Sequence, residues 1–389
     1  MERILVVSSD GHAGLPPERY KQYLDPQYHD LFDMALPIQN QMLAEKDAQF
    51  LKPGFLDEWE TERVAKGKVG AWDSDERNRQ MDEEGIAAEI IFPDAVTGKN
   101  AAPFGAVFTL PYEDVVPELQ WVGARAHNRW LAEFCALTPE RRAGIAMIPM
   151  LWDVDAAVRE IEWAHGAGLK GILIPVLFGP HPPFHDPVYE PIWEACAALD
   201  MPIHTHGGAC PDYGNHVGTV GILITETHWW CARPLWFLIW GGVFERHPKL
   251  KFVITELGAS WVPELKALMD QRFSDTHFAK KLGDYRSHLS MKPSEYFDRN
   301  VWVGASVTAR CDVENRHAIG VDRIMWGADY PHPEGTWPTT HRFLTESFHG
   351  IPEADVRAIL GLNALDVYRF DLDELTPLVE RIGPRVEDI

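Results

Sequence analysis

Cysteine is scarce in this sequence, with five residues among 389 and no CxxC pair. The cysteines are scattered and odd in number, which argues against a disulfide framework and against a zinc ribbon. We therefore expect reduced thiols and a cytoplasmic protein. The five positions are Cys135, Cys196, Cys210, Cys231 and Cys311.

Long apolar runs are also missing. The strongest candidate, "PLWFLIWGGVF" (234–244), is too short to span a bilayer and is followed directly by Glu245. The first predicted strand begins at Arg3, which leaves no room for a signal peptide. The sequence thus predicts a soluble intracellular protein with no membrane as a partner.

Basic residues are outnumbered, since 36 lysines and arginines face 58 aspartates and glutamates, for a net charge of −22. Nucleic acids and anionic membrane surfaces attract basic patches, so this balance argues against both as partners. Solubility is the simplest explanation of the acidity. A small-molecule substrate is the partner that we expect.

What the sequence does contain is a series of short apolar runs separated by helical segments. One such segment begins after Asp153, a typical N-cap, and ends at Gly166 or Gly168. Runs that are apolar on both faces are typical of parallel strands covered by helices. Eight alternations predict a single (β/α)8 TIM barrel domain over 1–389. The predicted strands are 3–9, 86–93, 143–150, 169–175, 201–206, 250–256, 300–306 and 323–329.

Three segments are too long for simple barrel connections. Residues 13–75, 94–116 and 207–233 each follow the carboxyl end of a predicted strand. Barrel enzymes build their sites at that end, so we expect these insertions to form lids and pocket walls. The tail over 371–389 is predicted to be a peripheral helix or an extended arm that could take part in a dimer contact.

Polar side chains capable of binding metal stand at the ends of four predicted strands. Alternate residues on a strand share a face, so Asp10 and His12 can be directed at one point. All strand ends of a barrel meet at one rim, where imidazoles and carboxylates together would hold a divalent metal. Taken singly, each could be a turn or core residue, and His204 is as well explained by a core position as by ligation. The set is Asp10, His12, His204, His206, Glu256 and Asp329.

Several motifs carry a resemblance to a known family. They are "SSDGH" (8–12), "RNRQMDEEGIAAEIIFP" (77–93), "MPIHTHGG" (201–208), "GGVFERHPKLKFVITELGASWVP" (241–263) and "DRIMWGADYPHPEGTWP" (322–338). The chain resembles the amidohydrolase superfamily, in the branch that includes aminocarboxymuconate-semialdehyde decarboxylase and resorcylate decarboxylases. The resemblance covers nearly the whole chain, and it implies a homodimer or another homo-oligomer.

The same resemblance implies a ligand set. The HxH pair of the family falls on Asp10 and His12, and the strand-five ligand falls on His206. The strand-eight aspartate, which in the family binds metal and handles the proton of the nucleophilic water, falls on Asp329. Two departures are Asp10 in place of histidine, as in a D-x-H sub-branch, and Glu256 in place of the strand-six histidine. Oxygen-rich donors favour manganese or iron over thiolate-bound zinc, although zinc also accepts them, so one or two ions of any of these metals are expected.

Further candidates lie near these motifs. His228 could be a buried structural residue, or it could replace the missing strand-six imidazole as a base or as a ligand of a second metal. His332 is expected to orient a metal-bound group, and Glu76 could join a second metal. Four arginines could clamp a substrate carboxylate, although salt bridges on helix surfaces explain most of them better. They are Arg79, Arg125, Arg129 and Arg310.

Three functions follow from these features. The first is a hydrolase or decarboxylase that acts through metal-activated water or a metal-held carboxylate, with Asp329, Glu256 and His228 as catalytic groups. The second, implied by the resemblance, is a dinuclear non-haem iron or iron–manganese monooxygenase on the same barrel, as are a few members that resemble the D-x-H sub-branch. The third is a catalytically silent ligand-binding barrel. A large apolar pocket suited to a hydrophobic carboxylate or carbonyl substrate is expected, lined by Trp229, Trp230, Trp261 and Trp337.

Overall fold

The computed structural model describes residues 2–94, 100–106, 115–274 and 279–389. Eight parallel strands pair in chain order within it. The amide of Ser9 donates to the carbonyl of Trp326 at 2.8 Å, and this bond closes the eighth strand onto the first. The predicted TIM barrel is therefore confirmed. The strands are β1 Val7–Ser8, β2 Ala88–Ile91, β3 Arg142–Met147, β4 Gly171–Leu173, β5 Ile203–His206, β6 Phe252–Thr255, β7 Val301–Ser306 and β8 Ile324–Gly327.

Helices cover the outside of the barrel, which explains why the strands are apolar on both faces. In chain order they are α1 His29–Phe50, α2 Phe55–Trp59, α3 Glu62–Gly67, α4 Ser74–Glu84, α5 Pro117–Ala136, α6 Val154–Gly166, α7 Glu190–Leu199, α8 Thr219–Trp240, α9 Val243–Arg246, α10 Val262–Phe273, α11 Pro293–Asn300, α12 Arg310–Glu314, α13 Arg316–Ile319, α14 Thr340–Phe348, α15 Glu353–Arg357, α16 Asn363–Tyr368 and α17 Leu372–Ile382. Across the described ranges, none of these helices has the length and apolarity to cross a bilayer.

Local sequence signals set several helix ends. The carboxylate of Asp153 accepts from the amide of Ala156 at 2.8 Å, so it caps α6 as predicted. The helix then ends at Gly166, the first of the two predicted stops. Asp371 caps α17 in the same way, accepting from the amides of Asp373 and Glu374.

Two of the three long insertions contain helices that were not predicted from their sequences. Residues 13–75 include α1, α2 and α3, and α8 begins inside 207–233. Within 94–116, residues 95–99 and 107–114 lie outside the described part of the chain. The barrel therefore carries structured insertions at the face where the site residues lie.

The C-terminal tail lies against the first strand. The amide of Ile4 donates to the carbonyl of Pro384 at 2.9 Å, and α17 buries Leu375 and Val379. This agrees with the peripheral helix that the sequence predicts. A contribution of the tail to a dimer stays a prediction.

Candidate metal centre

Four side chains from three strand ends meet at the carboxyl face of the barrel. Asp10 and His12 follow β1, His206 ends β5, and Asp329 follows β8; each is at most 1% exposed. The Nε2 atom of His206 lies 3.2 Å from Oδ1 of Asp10. The Nε2 atom of His12 lies 3.4 Å from the same oxygen and 3.3 Å from Oδ1 of Asp329. The structure thus brings together the residues onto which the resemblance placed the ligands.

Hydrogen bonds fix the ring orientation of both histidines. Nδ1 of His12 donates to the carbonyl of Pro93 at 2.9 Å, so Nε2 is directed at Asp10 and Asp329. Nδ1 of His206 lies 3.1 Å from Oε2 of Glu256 and 3.3 Å from the carbonyl oxygen of Gly207. A carboxylate or carbonyl on one ring nitrogen is the usual way in which a metal-ligating histidine is oriented. Glu256 therefore lies where it orients His206.

Two buried polar atoms at the centre of the group lack a hydrogen-bond partner within the described ranges, Nε2 of His12 and Oδ1 of Asp329. Such atoms cost free energy unless a further group satisfies them. A divalent cation bound between them would satisfy both, and two imidazoles with two carboxylates form a donor set that such cations accept. The residues present therefore fit a metal ion.

The electrostatics of the group also favour positive charge. Burial opposes protonation of His12, but Asp10 and Asp329 outweigh it and raise the pKa of His12 to about 10. Burial likewise opposes charge on Asp10, yet the neighbouring His206 and His12 hold the pKa of this carboxyl below its usual range. A bound metal ion would supply the positive charge that protonated histidines otherwise provide beside these carboxylates.

The backbone at two strand ends is unusual. Glu256 and Asp329 adopt φ angles of +63° and +57°, in the left-handed region that non-glycine residues seldom occupy. A Cβ atom on Gly207 would lie 2.4 Å from Oε2 of Glu256, so a larger residue there would displace this carboxylate from His206. Strained conformations of this kind cluster at functional sites.

A second group of donors adjoins the first. Glu256, Asp329, His332 and Glu334 each offer a ligand atom, all within 4.8 Å of one another. The His332 ring stacks on the His12 ring with centroids 4.0 Å apart, and its Nδ1 lies 3.3 Å from Oδ1 of Asp329. Within the described chain, no lysine or arginine nitrogen lies within 4 Å of these carboxylates. The negative charge of this face is thus balanced only by histidines.

His204 is placed differently from its prediction as a ligand. Its Nδ1 donates to the carbonyl of Ile172 at 2.9 Å, and its Nε2 accepts from the hydroxyl of Tyr368 at 2.8 Å. Both ring nitrogens are therefore occupied inside the barrel. His204 is a buried core histidine, the alternative that the sequence had left open.

His228 and Glu76 also stay outside the donor groups. His228 is half-buried on α8, where burial lowers its pKa, and its ring lies beside Trp229. Glu76 pairs with Arg79 on α4. Neither belongs to a donor group in the described part of the chain.

The four candidate arginine clamps have other partners. Arg79 contacts Glu76 and Glu83, and Arg125 and Arg129 both contact Glu160. These pairs are the salt bridges that the alternative interpretation anticipated. Arg310 pairs with Glu314 and donates to two backbone carbonyls, those of Ser347 and His349.

The four tryptophans do not share one environment. Trp337 is buried against Tyr330, and its Nε1 donates to the side-chain oxygen of Gln80. Its place in a pocket wall stays a prediction. Trp229 is 48% exposed on α8. Trp230 donates to Glu226, and Trp261 donates to the carbonyl of Gly258.

Sequence reasoning missed three polar residues around the centre. Ser306, which ends β7, donates to Oδ2 of Asp10. The same strand-end rule that found Asp10 would have found this serine. Glu334 follows Asp329 in the "DYPHPEG" turn, and Arg77 lies behind His12. No spacing in the sequence distinguishes these last two from surface residues.

Comparisons with known proteins identify similar sequences and a shared fold. The amidohydrolase family model matches residues 59–370. Gamma-resorcylate decarboxylase of Rhizobium sp. is 27% identical over 317 residues, covering 76% of this chain and 87% of that protein.

Two solved structures share the fold. The dihydroxybenzoic acid decarboxylase of Polaromonas sp., with bound manganese and the inhibitor 2-nitroresorcinol, matches with a TM-score of 0.62 and 20% identity, covering 96% of this chain and 99% of its own. The 5-carboxyvanillate decarboxylase of Novosphingobium aromaticivorans, complexed with manganese, matches with a TM-score of 0.65 and 19% identity, covering 95% and 97%.

Proposed function

Because the chain belongs to the amidohydrolase family, we propose that it is a metal-dependent decarboxylase of a small aromatic carboxylate. The observation that carries the proposal is the buried group of Asp10, His12, His206 and Asp329, with its two unpartnered atoms. The relatives that are decarboxylases of dihydroxybenzoates and carboxyvanillate support this reaction over hydrolysis.

Manganese is the metal that we propose. The donor set combines imidazole nitrogens with carboxylate oxygens and contains no thiolate, a combination that suits manganese among the divalent ions. The bound manganese in two structural relatives supports the same choice. When bound, the metal supplies a Lewis acid that holds and polarises oxygens of the substrate.

Asp329 is proposed as the proton carrier. Decarboxylation adds a proton to the ring carbon that bears the carboxylate; the electron pair of the carbon–carboxyl bond then returns to the ring and CO2 leaves. His332 can pass a proton to Asp329, because its Nδ1 lies 3.3 Å from Oδ1 of that carboxylate. Such proton transfer typically contributes about 10²–10⁴-fold to the rate.

Glu256 and Ser306 are proposed to hold the ligands in place. Glu256 directs His206, and the hydroxyl of Ser306 fixes one oxygen of Asp10. Neither needs to touch the reacting carbon to affect the rate. A misplacement of about 1 Å in a catalytic group can cost about 10²-fold.

The dinuclear monooxygenase is the second candidate. The observation that favours it is the second donor group, in which Glu256 and Glu334 add carboxylates next to Asp329 and His332. This face carries four carboxylates, those of Asp10, Glu256, Asp329 and Glu334. Two divalent ions would neutralise their charge, whereas one ion would leave about two negative charges. Hydrolysis and a silent barrel are the remaining alternatives.

Metal content and gas exchange test the proposal together. The purified chain, loaded with Mn²⁺, is incubated with gamma-resorcylate and with 5-carboxyvanillate, in air and under nitrogen. We expect about one metal per chain and CO2 release that is equal in both atmospheres. In the protein as purified, two irons per chain together with oxygen consumption would favour the monooxygenase. Release of an alcohol or an amine from an added ester or amide would favour hydrolysis.

Asp329→Asn is the matched variant for the same assay. It keeps the shape of the side chain and removes the carboxylate, so CO2 release should fall by at least about 10²-fold. Wild-type activity in this variant would contradict the proposed role. Metal bound without any reaction on either compound in the wild type would weaken the proposed substrate class.

A further inference from the structure

A buried arginine lies directly behind the metal centre. Arg77 on α4 is fully buried, and its guanidinium forms a bidentate pair with Glu89 on β2, at 2.6 and 2.7 Å. Its remaining nitrogen donates to the carbonyl of His12 at 2.7 Å and to that of Gly70 at 3.2 Å. A buried guanidinium with this many partners is held in one position.

The same guanidinium contacts both segments that carry the unpartnered atoms. On the β1 side it bonds the backbone of His12. On the β8 side its central carbon lies 4.9 Å from the ring of Tyr330, the residue after Asp329. The amide of His12 also donates to the carbonyl of Tyr330 at 2.6 Å. Arg77 therefore lies where the two ligand-bearing segments join.

We propose that Arg77 is a positioning residue that sets the spacing between His12 and Asp329 and so determines the affinity for metal. The proposal rests on the metal-dependent function proposed above. His12 and Asp329 hold their ligand atoms 3.3 Å apart as an ion pair, without the geometry of a hydrogen bond. The backbone that carries both residues is joined at His12 and Tyr330, and Arg77 contacts it from behind.

Lysine cannot replace this arginine. An ammonium group is a compact point charge without a planar fork, so it cannot bond both oxygens of Glu89 and two carbonyls in the same geometry. It also loses the flat contact with the ring of Tyr330. Arg77→Lys thus keeps the charge and releases the backbone of His12.

Arg142 provides a matched control. It is also buried, lies against the ring of Phe134, and approaches Glu89 at 4.0 Å. Its hydrogen bonds go to the carbonyls of Phe134 and Ser74 and to Oδ1 of Asn78, and among the described residues none reaches the segments that carry the metal ligands. Arg142→Lys therefore disturbs the same neighbourhood without touching the backbone of His12.

The experiment is a Mn²⁺ titration of the full chain without substrate. The electron paramagnetic resonance signal of free Mn²⁺ measures how much of the ion is bound. We expect Arg77→Lys to weaken Mn²⁺ affinity by about 10–100-fold, the range found when partners behind metal ligands are removed. Arg142→Lys should stay within about two-fold of wild type in this titration, because it leaves the orientation of the ligands unchanged. Activity of Arg77→Lys should recover at saturating Mn²⁺.

Other outcomes decide against the proposal in different ways. Equal affinity in Arg77→Lys and wild type overturns it, as does an equal loss in Arg142→Lys, which indicates general destabilisation. A wild type that binds no Mn²⁺ overturns the proposed metal-dependent function as well. Circular dichroism shows whether Arg77→Lys folds. If it does not, Glu89→Gln replaces it in the titration. The Mn²⁺ affinity of Glu89→Gln should lie between that of wild type and that of His12→Ala.

Discussion

Two histidines on β5 have the same orientation along the strand and different surroundings. His204 and His206 share one face because alternate strand residues do. His206 lies at the rim, between Asp10 and Glu256. His204 lies deeper in the barrel, bonded to a backbone carbonyl and to the hydroxyl of Tyr368.

The different partners give the two rings opposite charge preferences. Burial opposes charge on both, but the carboxylates of Glu256 and Asp10 raise the pKa of His206 well above its usual value. Among the described residues, none of the carboxylates contacts His204, so burial lowers its pKa to about 3. Depth along β5 therefore separates the two histidines, because Asp10 and Glu256, the carboxylates that contact His206, lie at the rim.

The largest expected effect comes from removing the rim histidine. His206→Ala should abolish stoichiometric Mn²⁺ binding and lower CO2 release by at least about 10²-fold, because the metal is needed to polarise the substrate. Elemental analysis and a decarboxylation assay measure both. His204→Phe is the control and should keep its metal; a His206→Ala protein with full metal would contradict the assignment.

The next effect tests what holds His206 in place. Glu256→Gln keeps an oxygen that can accept from Nδ1 of His206 but removes the negative charge. We expect Mn²⁺ affinity to fall by about 10–100-fold with the stoichiometry unchanged, as for other groups that orient metal-bound histidines. Isothermal titration calorimetry gives both quantities. A loss of stoichiometry would instead identify Glu256 as a ligand.

The deeper histidine should matter for stability alone. His204→Phe leaves the hydroxyl of Tyr368 without its acceptor, which should lower the free energy of unfolding by about 1–3 kcal/mol. Urea unfolding of the metal-free protein measures this. Tyr368→Phe in the same background removes the unsatisfied hydroxyl and should restore part of the loss. Altered Mn²⁺ affinity in His204→Phe would contradict the separation of the two histidines.

The sequence predicted the rim because the rim depends on topology. Once eight β/α alternations are recognised, the ends of β1, β5 and β8 must meet, which brings Asp10, His206 and Asp329 together. Side-chain partners do not follow from topology. The alternation rule placed His204 and His206 on one face, but only the structure revealed that Tyr368, from α16, reaches the deeper ring.

Charged residues on helices were the hardest to interpret. Arg77 and Arg79 lie two residues apart on α4, and sequence reasoning singled out Arg79. The structure buries Arg77 behind His12 and leaves Arg79 in surface pairs with Glu76 and Glu83. The insertions were similar, since Pro and Gly in 13–75 and 207–233 concealed helices that packing stabilises.

The smallest expected effect concerns a histidine–carboxylate contact away from the rim. Hydrogen bonds from Arg246 and His247 outweigh the effect of burial and lower the pKa of Glu190 to about 2. Glu190→Gln should cost less than about 1 kcal/mol at pH 7, because solvent screens the partly exposed group. A depressed pKa stabilises above the unfolded value of about 4.3, so the cost should fade as the pH drops from there toward 2. Urea unfolding at pH 7 and pH 3 measures this. Unchanged Mn²⁺ stoichiometry in the same variant would show that the Glu190–His247 pair does not hold the metal.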